Sequence, residues 1–199
     1  MKLIIASGNR HKVREIKQIL GGTFDPILSM TEAGIDHETV EDGTTFLENA
    51  RKKADEIMRI SGSAAIADDS GLCVDALDGA PGIFSARFCG HHGDDEENNR
   101  HLLARMQGIT DRRAHYTCAM VIAHPDGSHT EAEGYMYGEL LCEGRGEGGF
   151  GYDPLFVPDG GDKTLAEYTA EEKNAISHRA RALSALLERL HANADAEKA

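Results

Sequence analysis

No stretch of this chain approaches the ~20 consecutive apolar residues that a membrane-spanning helix needs. The apolar run at the start, Leu3 to Ala6, is too short for a secretory signal. A membrane partner is therefore not expected. Cysteine pairing is also lacking. Cys73, Cys89, Cys118 and Cys142 include no CxxC and no compact disulfide spacing, so they read as free thiols in a reducing compartment, which points to the cytoplasm. Positive charge is scarce. Lys and Arg number 21 against 34 Asp and Glu, a formal net charge of −13. Such a chain repels a nucleic-acid backbone except at a local basic patch, so no nucleic-acid partner is expected. There is no internal repeat and no flexible linker. The 199 residues suit one domain, or two small lobes sharing a core, large enough to bury roughly 70% of the extended-chain surface.

The apolar pattern alternates between strand and helix. Leu3 to Ala6 reads as a buried strand and Ser7-Gly8-Asn9 as a turn. Val13, Ile16, Ile19 and Leu20 then take helical spacing, closed by Gly21-Gly22. Phe24 to Met30 is a second predicted strand. Thr45 and Glu48 have capping-box spacing ahead of the stripe Phe46, Ala50, Ala54 and Ile57, so a helix is predicted from Thr45 to about Ser61. Ala64 to Ala67 reads as a short strand ending in a turn at Asp68-Asp69-Ser70-Gly71, with Leu72 to Leu77 extended again. Asp94 and Glu97 open another helix. Ala114 to Ala123 and His129 to Leu141 predict a hairpin around Pro125-Asp126-Gly127. Leu155 to Val157 is a short strand. A second capping box, Thr169 and Glu172, precedes the last helix, with Ile176, Ala180, Leu183, Leu187 and Leu190 as its stripe and a frayed tail over residues 192–199. Strands alternating with helices indicate an α/β fold.

Five clusters carry candidate chemistry. The turn Ser7-Gly8-Asn9-Arg10-His11-Lys12 lies between a strand and a helix N-terminus. Backbone N–H groups and the helix dipole there favour an anion, and Lys12 adds charge; the plain alternative is a β–α connection with a surface lysine. Asp68-Asp69-Ser70-Gly71 places two carboxylates beside an apolar strand, costly unless the charge is used. Magnesium suits such a pair together with phosphates; a solvated turn is the alternative, and no GxSxG elbow makes Ser70 a nucleophile. Glu41-Asp42-Gly43 precedes a helix carrying Lys52 and Lys53, which fits a dipole-complementing turn as well as a site. Gly146, Gly148 and Gly151 spell GxGxxG, but a strand follows instead of a helix, which excludes a dinucleotide fingerprint. That loop presents Phe150, Tyr152 and Asp153, and an aromatic there can stack on a base or fill the core. Glu172-Lys173-Asn174 with Ser177-His178-Arg179 is either a polar cluster or an exposed helix face. His91-His92 followed by Asp94 is too loosely spaced for a metal site and reads as surface loop.

The order of these signals is more specific than any one of them. Ser7-Gly8-Asn9 with Lys12 and Glu15, then Asp68-Asp69-Ser70-Gly71-Leu72, Gly79-Ala80-Pro81-Gly82 with Ser85-Ala86-Arg87, Gly149-Phe150-Gly151-Tyr152-Asp153-Pro154, and Glu172-Lys173-Asn174 with Ser177-His178-Arg179 follow in sequence. From Lys2 to Leu190 the chain closely resembles the inosine/xanthosine triphosphate pyrophosphatase family. The resemblance implies a two-lobed α/β fold with a long, mixed, twisted sheet and a substrate cleft. It also implies a magnesium-dependent homodimer that cleaves ITP, dITP and XTP to the monophosphate and pyrophosphate, clearing the nucleotide pool. Carried onto this sequence, Asp69 is the general base and a Mg²⁺ ligand, and Glu41 a second ligand, with Glu38 and Asp42 as near neighbours. Ser7, Gly8, Asn9, Arg10, His11, Lys12, Lys53 and Ser70 hold the triphosphate. Phe150, Gly151, Tyr152, Asp153, Lys173, His178 and Arg179 hold the nucleoside.

The chemistry agrees with those roles. Magnesium and lysines offset triphosphate charge, and a carboxylate takes the proton of the attacking water. Hypoxanthine and xanthine carry an acceptor oxygen at C6 where adenine has a donor amino group. Arg179, a donor only, would pair with the first and clash with the second. For Lys173, His178 and Arg179 to converge near Phe150, the last helix must break between Glu172 and His178, because one straight helix turns roughly 100° per residue. Two rivals stand beside this reading: a nucleotide-binding regulator without turnover, and a phosphatase acting on pyrimidine or modified nucleotides.

Overall fold

A computed structural model describes residues 2–91 and 94–196, with side chains to residue 192. The chain forms two compact units. The first comprises Met1–Asp69, Cys118–Gly134 and Arg179–Ala199; the second comprises Ser70–Thr117 and Tyr135–His178.

One mixed sheet has the strand order β2-β1-β3-β4-β5-β6. Its strands are β1 Leu3–Ile5, β2 Ile27–Ser29, β3 Ala64–Val74, β4 Arg113–Ala123, β5 His129–Leu140 and β6 Phe156–Pro158. β1 pairs in parallel with β2 and β3, while β5 and β6 are antiparallel. The helices are α1 Arg10–Leu20, α2 Phe46–Ser61, α3 Asp95–Arg105, α4 Ala170–Ile176 and α5 His178–Ala196.

The predicted caps form. Thr45 accepts from the Glu48 N–H, Asp94 from the Glu97 N–H, and Thr169 with Glu172 closes a full capping box. The second strand is shorter than expected, only Ile27–Ser29. α5 runs on to Ala196 where fraying was expected from residue 192; residues 197–199 and His92 lie outside the described residues.

In the first unit the sheet is buried on both faces. Leu3, Ile5, Ala64 and Ile66 share a core with Ile16 and Leu20 of α1 and Leu183 and Leu186 of α5. Ile4, Ala65 and Ala67 point the other way, onto Ala50, Ala54 and Ile57 of α2. This is the period of two of a strand, and both faces being apolar explains why β1 and the start of β3 read as continuous hydrophobic runs. Truncating Ile16, which is fully buried, to Ala would cost about 2–5 kcal/mol. The second unit has its own core, including Leu72, Leu102, Tyr116, Leu140 and Phe156.

β3 departs from the sequence reading. The expected turn at Asp68-Asp69-Ser70-Gly71 does not form, and a single strand continues from Ala64 to Val74. Local composition suggests a turn, but these carboxylates have cationic partners, which removes the reason for the chain to seek solvent there.

Candidate functional site

In the first unit, strand alternation continues through the two aspartates. Asp68 falls on the α1 and α5 side. Lys12, in the first turn of α1, bonds its carboxylate at 2.9 Å, and the first-turn Arg179 of α5 reaches the same oxygen from Nε and Nη2 at 3.3 Å. Arg179 also donates from Nη1 to Glu15. Asp68 and Arg179 are 1% exposed each. Burial works to raise the Asp68 pKa, but Lys12, Arg179 and Lys53 outweigh it and hold the carboxyl well below the usual range. This side is a buried charge network of two cations and two anions.

Asp69 falls on the α2 side. Its Oδ1 is 3.2 Å from Lys53 Nζ, which also bonds Glu41 Oε1 at 2.7 Å. The other oxygen, Oδ2, accepts from Asn49 at 3.1 Å. Burial, helped by Glu41, pushes the Asp69 pKa upward against Lys53 and Lys12. Lys53 keeps its charge: desolvation lowers its pKa, but Asp69, Glu41 and Asp68 together raise it. Glu41 and Asp69 thus converge from two elements on one cation. Two hard oxygen donors around a single positive charge are the donor set magnesium takes, so these residues fit the implied ion. Of the near neighbours weighed with Glu41, Asp42 pairs instead with Lys52 at 2.6 Å.

The phosphate turn is built by its own side chains. Asn9 caps α1, its Oδ1 accepting from the His11 and Lys12 N–H groups at 2.9 and 3.2 Å, and Ser7 Oγ accepts from the Asn9 N–H. Gly8, Asn9, Arg10 and His11 are exposed, and open space stands where a Cβ on Gly8 would be. A surface hollow of about 560 Å³ lies beside the turn, lined by Ser7, Gly8, Arg10, Arg14 and Lys17 among others. Ser70 follows Asp69 on β3 and is half-buried.

The second unit holds the predicted nucleoside residues Phe150, Gly151, Tyr152, Asp153, Lys173 and His178, while Arg179 belongs to the first. Asp153 Oδ2 accepts from the Phe150 N–H at 2.9 Å and from Lys173 Nζ at 2.6 Å, and both partners of this ion pair are buried. The Lys173 ammonium stands 4.5 Å from the Phe150 ring centroid, a cation–π contact. Gly149 has φ +73°, and a Cβ on it would stand 2.1 Å from Asp153 Oδ2, so only glycine permits this turn. Tyr152 donates to the Ser85 carbonyl at 2.8 Å. Gly151 is held on both sides: its N–H donates to Asp95 at 2.6 Å and its carbonyl accepts from Asn99 at 2.9 Å. His178 stacks on Tyr116 at 4.7 Å with 9° between rings.

The helix break falls where convergence required it. Ser177, with ψ 153°, separates α4 from α5. Lys173 reaches the Phe150 loop, and His178 packs on Tyr116. Arg179 has a different environment from the one expected: its donors engage Asp68 and Glu15 on the phosphate side.

Sequence reasoning missed Asn49, Asp95, Asn99 and Tyr116. Asn49 had a signal, since it is a fully buried polar residue one turn before Lys53 on the apolar side of α2. It also accepts from the Gly43 N–H at 2.8 Å, tying the Glu41 segment to Asp69. A Cβ on Gly43 would lie 2.6 Å from Asn49 Oδ1, so this approach needs glycine.

Comparisons with known proteins follow the same outline. A model of the Ham1 family matches residues 3–189. A dITP/XTP pyrophosphatase of Clostridium perfringens is 50% identical, the alignment covering 95% of this chain and 97% of that protein. The solved Ham1 protein of Staphylococcus aureus superposes with TM-score 0.87 at 38% identity, covering 97% of this chain and 100% of that one. A structure from Mycobacterium abscessus, described as a nucleoside-triphosphatase and dITP/XTP pyrophosphatase, gives TM-score 0.76 at 44% identity, covering 94% and 99%.

Proposed function

This chain belongs to the Ham1 family, and from that premise we propose that it hydrolyses non-standard purine nucleoside triphosphates, ITP, dITP and XTP, to the monophosphate and pyrophosphate. The observation that carries the reading is the partly buried Glu41–Lys53–Asp69 set, two carboxylates converging on one cation. A binding protein without turnover gains nothing from such groups beside a triphosphate.

Each residue then has a task. Glu41 and Asp69 would hold Mg²⁺, which when bound offsets phosphate charge. Asp69 takes the proton of the attacking water as general base. Asn49 fixes its second oxygen and so its orientation. Lys12 and Lys53 stabilise charge on the phosphates, with Ser7, Ser70 and the turn from Gly8 to His11 positioning them. Arg179 keeps Asp68 charged and thereby positions Lys12. Lys173 and the backbone of the Phe150–Asp153 loop meet the base. An ammonium can only donate, so it pairs with the C6 oxygen of hypoxanthine and not with the adenine amino group. A homodimer, as the family resemblance implies, completes the reading, and free cysteines fit the reducing cytoplasm. Among the described residues no helix is long and apolar enough to cross a membrane.

The test is a panel of standard and non-standard nucleoside triphosphates with magnesium, reading pyrophosphate and orthophosphate separately. Pyrophosphate from ITP and XTP, with ATP and pyrimidine nucleotides spared, is the expected outcome. Orthophosphate as the first product would overturn it, as would preferred turnover of pyrimidine nucleotides.

A further inference from the structure

The segment ahead of α3 brings together side chains that the pyrophosphatase chemistry does not use. Cys89 Sγ lies 3.8 Å from both His91 Nδ1 and Nε2, and His91 Nε2 lies 2.7 Å from Glu97 Oε2. One ligand atom from each residue falls within 4.8 Å of the others. The backbone holds them there. Gly90, at φ +103°, turns the chain back between Cys89 and His91. The Cys89 N–H donates to Asn98 Oδ1 at 2.8 Å, and Asn98 is 2% exposed. Glu97 is fixed in the first turn of α3 by the Asp94 cap. A spacing that looks loose in the sequence is closed by one turn and one buried asparagine.

We infer that Cys89, His91 and Glu97 form a binding site for a zinc-class divalent cation. A thiolate, an imidazole and a carboxylate are the mixed donors zinc accepts, and the sulfur excludes magnesium. The geometry is close to what the ion needs. With ligands at about 2.0–2.3 Å in a tetrahedron, neighbouring donor atoms stand roughly 3.3–3.6 Å apart. Sulfur and imidazole are nearly at that spacing; His91 and Glu97 must exchange their 2.7 Å hydrogen bond for the shared ion, and the three ligand atoms, within 4.8 Å of one another, must draw in around it. Binding releases the Cys89 thiol proton to solvent and leaves a fourth position for water. The ion would staple Cys89 and His91 to the α3 turn whose Asp95 holds the Gly151 N–H at 2.6 Å, and so stiffen the support of the Phe150 loop.

Cobalt reports this site without reference to turnover, because only a sulfur ligand gives a thiolate-to-cobalt charge-transfer band. Glu41 and Asp69 offer no sulfur. The full chain carrying Cys142→Ser, which removes the exposed thiol, should develop that band to one equivalent of Co²⁺ and lose it when Zn²⁺ is added. Adding Cys89→Ser should abolish it, and His91→Ala or Glu97→Gln should weaken cobalt binding roughly tenfold or more. His91 is exposed, so its variant keeps the fold, which circular dichroism checks. No band at saturating cobalt, or a band that survives Cys89→Ser, overturns the site.

Discussion

Asp68 and Asp69 are neighbours in the chain and face opposite sides of the sheet. Asp68 meets Lys12 and Arg179, and Asp69 meets Lys53 and Asn49. The pair is therefore not one acidic cluster but two separate sets of partners, one around Lys12 and Arg179 and the other around Lys53 and Asn49.

Asp69→Asn should lower kcat by roughly 10²–10⁴ with little change in folding, because an amide cannot accept the water's proton. Asp68→Asn should show the reverse balance. It removes one carboxylate from the buried Arg179 and costs about 3 kcal/mol of stability, with a milder loss of turnover. Urea unfolding and steady-state kinetics on both variants check this, and equal loss of kcat with equal stability would refute the division.

Acid should affect the same network. The Asp68 carboxyl is held below its ordinary value of 3.8 in the fold, so it contributes stability that is complete above that value. The contribution is lost as the pH falls below it. Asp68→Asn should flatten the dependence of the urea midpoint on pH below about 4, measured without added metal. A variant whose acid limb matched the parent's would show that Asp68 is not the responsible group.

Asn49 and Gly43 should act through Asp69. Asn49→Ala frees Asp69 Oδ2, and Gly43→Ala pushes a Cβ into Asn49. Both should lower kcat more than they raise KM, and Asn49→Asp should place a like charge beside Asp69 and be the most damaging. If the loss appeared in KM alone, their role would be substrate binding rather than orientation of the base.

Base choice should depend on Lys173 rather than Arg179. Lys173→Gln removes a donor-only group beside Phe150 and should reduce the ratio of kcat/KM for ITP over ATP by roughly tenfold or more. Arg179→Lys should lower kcat while preserving that ratio. The opposite pattern would return the reading of C6 to Arg179.

Much of the scaffold was legible because its causes are local. The caps at Thr45, Asp94 and Thr169 are side chains bonding their own helix within three residues, and their spacing is visible in the sequence. The break at Ser177 followed from geometry, since residues 173, 178 and 179 cannot share one face of a straight helix. Asn49 was less legible. Its position among apolar residues marked it as unusual, but its partners Gly43 and Asp69 are fixed by how α2 packs on the sheet.

The amino-acid sequence by itself determined the alternation of strands and helices, the glycines of the Phe150 loop, and the ordered motifs that place the chain in its family. These depend on short-range periodicity, backbone sterics and residue identity. Only the tertiary structure decided that β3 runs unbroken through Asp68 and Asp69, that Arg179 sits with Asp68 and Glu15, and that Cys89, His91 and Glu97 meet. The physical reason is the same for all three. Whether a buried charge is tolerable, and which group lies beside a ligand, depends on partners brought near by packing, and spacing along the chain does not record them.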